Sequence, residues 1–268
     1  MNRYEEGLER LREVSGEAGP AVLDSLSDIA PGFARLVAEF GYADIYGRPG
    51  LNLRQRQLIN VAALTAMGTA APQLRFHADA ALHVGVTPEE LVEAVLHMAI
   101  YAGFPAALNG LAVVREVFAA RGVVFEPPAP LEGDRYARGA RLLEEVDGHA
   151  GTAVVDALAD IAPDFARMII EFSFGEIYAR PGLDLKSREL ATVGACVALG
   201  TARPQLRVHL HGLLNVGGTR EEAVETIIQV AGYAGFPAAL NGLGVAREVF
   251  GERDASQSES RDTSAATD

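Results

Sequence analysis

Residues 101–111 read YAGFPAALNGL, and residues 233–243 read the same eleven letters again. The offset is 132 (233 − 101), and it holds far beyond this stretch. Tyr4 recurs as Tyr136, Ile29-Ala30-Pro31 as Ile161-Ala162-Pro163, and Arg48-Pro49-Gly50-Leu51 as Arg180-Pro181-Gly182-Leu183. Pro72-Gln73-Leu74-Arg75 recurs as Pro204-Gln205-Leu206-Arg207, and Arg115-Glu116-Val117-Phe118 as Arg247-Glu248-Val249-Phe250. No gap is needed anywhere between these landmarks. A repeat this long is a domain rather than a solenoid unit, so the chain is a fused tandem duplication. Copy one is placed at residues 1–126, a Pro-rich linker at 127–135, copy two at 136–250 and a tail at 251–268. The tail, GERDASQSESRDTSAATD from Gly251 on, is polar and nearly free of apolar side chains, which predicts disorder.

Within a copy the signals are helical. An apolar, Ala-rich run over 58–67 stops at Gly68, and a second run over 74–84 stops at Gly85. Thr87-Pro88-Glu89-Glu90 opens a third helix with an N-cap, a proline at the first position and an acid at the third. Gly103 ends it near Tyr101, and Pro105 starts a fourth that reaches Phe118. No segment alternates with period two over strand length. The predicted fold class is all-α, with two tandem helical domains. In the repeated stretch, Gly suits a tight turn, Pro starts a helix, and small Ala residues let helices approach closely. The joint is expected at a contact between units.

Composition narrows the function classes. A formal net charge of −13 argues against a nucleic-acid partner, which needs a basic face. It argues equally against an anionic membrane surface, and no apolar run approaches bilayer length. One cysteine, Cys196, excludes an intramolecular disulfide and a CxxC redox pair. No signal peptide is read at the N-terminus, and a cytoplasmic location is the default expectation.

The order of landmarks carries a resemblance. Arg48-Pro49-Gly50-Leu51 is followed by Arg56 at the head of an apolar helix. Then come His77, Ala81, Gly85, Thr87, Glu89, Glu90 and Glu93, and finally Tyr101-Ala102-Gly103-Phe104-Pro105-Ala106. Copy two repeats the order. This pattern resembles the carboxymuconolactone decarboxylase family over nearly the whole chain except linker and tail. The resemblance implies one of two chemistries: cofactor-free decarboxylation of γ-carboxymuconolactone, or the thiol peroxidase activity of the alkylhydroperoxidase D branch, built on CxxCxxxH. Counted back from His77 and His209, the two thiols of that second motif fall on Ala70 and Gln73, and on Ala202 and Gln205. With no thiolate there is no nucleophile for peroxide, so peroxidase activity is not expected. The decarboxylase branch is closer, with Tyr4 to Gly7 and Tyr136 to Gly139 matching its opening and Tyr46 and Tyr178 its aromatic position. The chain departs from the family pattern in having no Trp, and Gln73 and Gln205 stand where a Glu is usual.

Decarboxylation of a conjugated lactone needs a donor for the substrate carboxylates, stabilisation of the dienolate oxygen, and an acid that protonates carbon. The lactone is its own electron sink, so no metal and no other cofactor is expected. Gln73 and His77 share one helix face, and Glu93, His97 and Tyr101 share the next; in copy two these are Gln205 and His209, then Glu225, Gln229 and Tyr233. His77, His209, Glu93, Glu225 and His97 are therefore the catalytic candidates, with Glu93 read as the group that orients His97 and raises its pKa. Arg56 and Arg188 are candidates for binding a carboxylate, alongside Gln73, Gln205, Tyr46, Tyr178, Tyr101 and Tyr233. Each has a plainer reading: a packed histidine, a solvated acidic face, an arginine paired with a nearby acid, a core tyrosine with a polar tip.

The leading expectation is a cofactor-independent lyase for a small carboxylated lactone or related enolisable acid. The alternatives are an isomerase, dehydratase or cyclase of a secondary metabolite on the same scaffold, or a non-catalytic helical oligomer with degenerate sites. Single-domain members of the family form trimers or hexamers, so the resemblance also implies a homo-oligomer, with three fused chains closing a six-unit ring.

Overall fold

The computed structural model describes residues 2–265. Every regular element among them is helical, in the order the duplication dictates. Copy one holds α1 (Arg3–Ser15), α2 (Ala18–Asp24), α3 (Pro31–Leu36), a π-helix π1 (Val37–Tyr46), α4 (Leu53–Met67), α5 (Ala71–His83), α6 (Pro88–Tyr101) and α7 (Gly103–Arg121). Copy two repeats it as α8 (Arg135–Val146), α9 (Gly148–Asp156), α10 (Pro163–Met168), π2 (Ile169–Tyr178), α11 (Leu185–Leu199), α12 (Arg203–Asn215), α13 (Arg220–Ala234) and α14 (Phe236–Ala265).

The helix starts follow from local chemistry. Asn52 with Gln55, Thr87 with Glu90, and Thr219 with Glu222 form reciprocal capping boxes at α4, α6 and α13. Gly68 and Gly200 close α4 and α11 in the left-handed conformation. The Tyr-x-x-Gly openings have a steric cause. A Cβ on Gly7 would overlap the Ala38 carbonyl oxygen, and one on Gly139 the Ile170 carbonyl oxygen, so glycine lets α1 and α8 lie against the π-helices. The π-helices themselves are a departure from the simple helical reading. Each ends on a site tyrosine, Tyr46 or Tyr178.

The two copies share their interior. α4 packs on α11, and one buried cluster joins Ala62, Ala66 and Met98 to Ala191 and Ala195. Leu51, Ile59 and Ala63 of copy one sit within the main cluster of copy two, while Leu183 of copy two sits within that of copy one. The repeated joint reaches across as well: Tyr101 packs against the copy-two cluster and Tyr233 against the copy-one cluster.

The tail departs from expectation. α14 does not stop at Phe250 but continues to Ala265. Arg207 and His211 hold Glu252, Arg220 holds Asp254, and Arg253 donates to Asn215 and to the His211 carbonyl. Charge pairing anchors residues that an apolar count reads as free. Residues 266–268 lie outside the described residues. No helix among those described is long and apolar enough to cross a membrane.

Candidate active site

Two centres lie where the copies meet, each built around one family-position histidine and completed by a tyrosine from the other copy. In the copy-two centre, Tyr101 of α6 hydrogen-bonds Tyr178 at 2.8 Å, and Tyr178 donates to Glu189 Oε1 at 2.5 Å. Because the Tyr178 proton is committed to a carboxylate, Tyr101 must be the donor of the first bond. His209 Nδ1 lies 3.0 Å from Glu189 Oε2 and 3.7 Å from Asp147 Oδ1. All of these groups are buried or nearly so, and Asp147 Oδ1 has no hydrogen-bond partner among the described residues.

The electrostatics follow. Burial alone pulls His209 down, but the charges of Glu189 and Asp147 and the Glu189 hydrogen bond outweigh it, and its pKa rises to about 9. His209 is an imidazolium at neutral pH, with Nε2 carrying a proton that no described residue accepts. Burial, aided by Glu189 and opposed by His209, lifts Asp147 to about 6. Asp147, Glu189 and His209 also bring ligand atoms within 4.8 Å of one another, a spacing that suits a divalent cation. Metal binding there would require His209 to give up its Nδ1 proton.

The copy-one centre repeats the geometry without the charges. Gln57 replaces Glu189, Ser15 replaces Asp147, and Asn60 replaces Thr192. His77 Nδ1 lies 2.9 Å from Gln57 Oε1, and burial holds the His77 pKa down to about 3, so the ring is neutral. A directed chain of hydrogen bonds runs through this centre. Arg56 can only donate, and it bonds Gln229 Oε1 at 2.7 Å. Gln229 then donates to Asn60 Oδ1 at 3.1 Å, and Asn60 donates to the Tyr46 hydroxyl at 2.6 Å, as does Gln57 at 3.0 Å. Tyr46 thus accepts twice, and its own proton points to Tyr233 at 3.3 Å.

Beside His77 opens a cavity of about 320 Å³, with Gln229, Gly232 and Tyr233 from copy two in its wall. At the copy-two centre the place of Gly232 is taken by Ile100 of copy one, whose side chain packs against the cluster of Leu142, Ile170, Phe174 and Tyr178.

Several sequence candidates have other partners. Glu93 does not orient His97; it pairs with Arg188 at 3.0 Å and Arg180 at 2.8 Å in the other copy. Glu225 likewise pairs with Arg48 at 2.7 Å and Arg56 at 3.5 Å. Arg56 and Arg188 are fully buried in these cross-copy ion pairs and in bonds to the Arg48 and Arg180 carbonyls, which removes them from carboxylate recognition. His97 bonds Thr192 at 2.8 Å, and burial, with Arg188 and His209 nearby, holds its pKa well below the ordinary value, so it does not act as a neutral-pH proton shuttle. Gln73 is exposed at the cavity rim, and Gln205 is exposed. Tyr46, Tyr178, Tyr101 and Tyr233 are brought to the two histidines. Glu189 and Asp147 were not singled out in the sequence. The signal was there: Glu189 is an acid inside an apolar helix, matched by an amide, Gln57, in the other copy.

A sequence profile of the carboxymuconolactone decarboxylase family matches residues 31–116 and 163–248, once in each copy and over more than half of the chain. The chain belongs to this family. Among relatives in the family, 4-carboxymuconolactone decarboxylase from Acinetobacter baylyi is 37% identical over 125 residues, covering 92% of that protein and 46% of this chain. Nitrosuccinic acid decarboxylase from Metarhizium robertsii is 31% identical over 117 residues, covering 79% of that protein and 42% of this chain. A crystal structure assigned as a gamma-carboxymuconolactone decarboxylase subunit from Burkholderia xenovorans LB400 superposes with a TM-score of 0.59 at 26% identity. It covers 93% of this chain and 98% of its own. Decarboxylase-named relatives support an enzyme of the lyase type. The Cys196 thiol, which the alkylhydroperoxidase D chemistry would need as a thiolate, is buried and pushed up to about 12 by burial and by the charge of Glu189.

Proposed function

We propose that the chain is a cofactor-independent carbon–carbon lyase for a small carboxylated lactone or related enolisable acid, with its proton transfer centred on copy two. The observation that carries this reading is the His209–Glu189 contact at 3.0 Å, which makes a buried imidazolium at neutral pH. In this reading the substrate carboxylate sits beside that cation. The bond from the carboxylate carbon to the ring breaks, and its electron pair moves into the conjugated carbonyl as carbon dioxide leaves. The carbon then takes the Nε2 proton of His209, while Glu189 and Asp147 on the Nδ1 side keep the ring oriented, and Nε2 is reprotonated from water once the product leaves. Tyr101 and Tyr178 hold Glu189 in place from the side opposite His209. Ile100, packed on Leu142, Ile170, Phe174 and Tyr178, fills the place that Gly232 leaves open at the other centre, which favours a small substrate.

The test is turnover of γ-carboxymuconolactone by the purified full chain, followed as carbon dioxide release with and without a chelator. The expected result is chelator-insensitive turnover that collapses in His209→Gln and survives in His77→Gln. No turnover by a correctly folded protein would overturn the substrate assignment. Loss in the chelator would move Asp147, Glu189 and His209 to a metal site.

The same reading includes assembly. Phe33, Leu36 and Leu240 are exposed, as are their counterparts Phe165, Met168 and Leu108. Matched apolar patches on both halves of the chain suit a homo-oligomer in which three chains close a six-unit ring. Light scattering of the eluted protein tests this; a monomer at micromolar concentration would refute it.

A further inference from the structure

The cavity beside His77 is not a spare copy of the His209 centre. No Asp, Glu, Lys or Arg lines it. Its apolar walls include Leu23, Val37, Ile45 and Phe76; His77, Tyr46 and Tyr233 meet within it, Gln229 in the wall is committed to Arg56 and Asn60, and Gln73 stands at the rim. The sense of each polar group can be assigned. Gln57 Oε1 accepts from His77 Nδ1–H, so Nε2 carries the lone pair, and no described residue donates to it. The relay from Arg56 ends with Tyr46 donating to the Tyr233 oxygen, which leaves the Tyr233 proton without a protein acceptor on that path. Burial pushes the Tyr233 hydroxyl well above its ordinary pKa, so it stays a donor. One acceptor and one donor, both uncharged, thus meet in a mostly apolar chamber whose lining holds no charged side chain.

We propose that this chamber is a second ligand site, for a neutral ring compound bearing a hydroxyl that donates to His77 and accepts from Tyr233. An anion is disfavoured because a carboxylate entering it would lose its hydration without meeting a cation. Gly232 keeps the site open. A Cβ there would meet Ile45 Cδ1 at 3.6 Å, and the equivalent Ile100 of copy one has its side chain packed into the matching apolar cluster at the copy-two centre. The Gly232/Ile100 exchange therefore sets which copy admits a ring of this size. The inference does not depend on the His209 centre being a lyase.

Calorimetric titration of the full-length protein with p-cresol and with benzoate, similar in size but neutral and anionic respectively at pH 7, tests it. The expected result is one p-cresol per chain and benzoate bound at least about tenfold more weakly. Gly232→Ile should abolish p-cresol binding while His209→Gln retains it. Tyr233→Phe, which removes only the donor, should weaken it roughly tenfold. Equal binding of cresol and benzoate, no cresol binding, or binding that survives both Gly232→Ile and Tyr233→Phe would overturn the proposal. If Gly232→Ile fails to fold, the Tyr233→Phe titration and the cresol-to-benzoate ratio decide it.

Discussion

Glu189 occupies in copy two the place that Gln57 occupies in copy one, and each receives the Nδ1 of its own histidine at nearly the same distance, 3.0 Å against 2.9 Å. The exchange of an amide for a carboxylate, reinforced by Asp147 in place of Ser15, separates the two rings: His209 rises to about 9 and His77 falls to about 3. Geometry is conserved between the centres and charge is not.

Glu189→Gln should therefore convert the copy-two centre into the copy-one type. His209 loses its first anion, and its titration, read by NMR of the imidazole protons, should fall from about 9 toward or below the ordinary histidine value. Turnover at pH 7 should drop by roughly a hundredfold or more, the usual share of a positioned acid. An unmoved titration would refute the pairing.

The pH dependence of stability has a defined sign. The folded His209 pKa is raised, so its contribution is complete below the unfolded value of about 6.5 and is lost as pH rises through about 9. A shift of this size corresponds to about 3 kcal/mol. His77 acts in the opposite range: its folded pKa is depressed, so its neutral ring opposes folding increasingly as pH falls from about 6.5 toward about 3. Urea titrations of the wild type and of His209→Gln at pH 6, 8 and 9.5 should converge at the alkaline end, and those of His77→Gln should diverge from wild type below pH 6.

Glu93→Gln leaves Arg188 buried without its anion, since Glu93 meets both Arg188 and Arg180. The expected loss is about 3–5 kcal/mol. Denaturant melts should show it without a matching effect from Glu89→Gln, an exposed first-turn acid on the same helix.

Gly139→Ala places a methyl group against the Ile170 carbonyl oxygen. α8 must then lift from π2, at a cost of about 1–3 kcal/mol by analogy with overpacked cores. The matched change Gly7→Ala should behave alike in thermal melts, because the same contact exists in copy one.

Much of this architecture is legible in the residues themselves. The duplication, the cap at Thr87, the glycine stops and the tyrosines at the family positions are local signals, and local signals survive in a string of letters. What escapes is whatever depends on how one copy meets the other. Glu93 and His97 share a helix face, which suggests that they serve each other. Both face copy two instead, and each takes a partner there, Arg188 and Thr192. The π-helices escape for another reason: Val37–Tyr46 and Ile169–Tyr178 differ from α-helix by one residue of hydrogen-bond register, which apolar spacing over ten residues does not resolve. The helical extension past Phe250 rests on arginine and histidine contacts from α12 and α13, remote in sequence from the tail they hold.

The crossing of Tyr101 and Tyr233 into each other's centres has a genetic corollary. When two identical chains associate about a twofold axis, any substitution appears in both centres at once, so a useful change at one is inflicted on the other. Fusing the two genes end to end removes that constraint while keeping the exchanged tyrosines. One centre was then free to hold Glu189 and Ile100, and the other Gln57 and Gly232, within a single inherited unit. Excising either half takes away the tyrosine that the remaining half's centre receives from it.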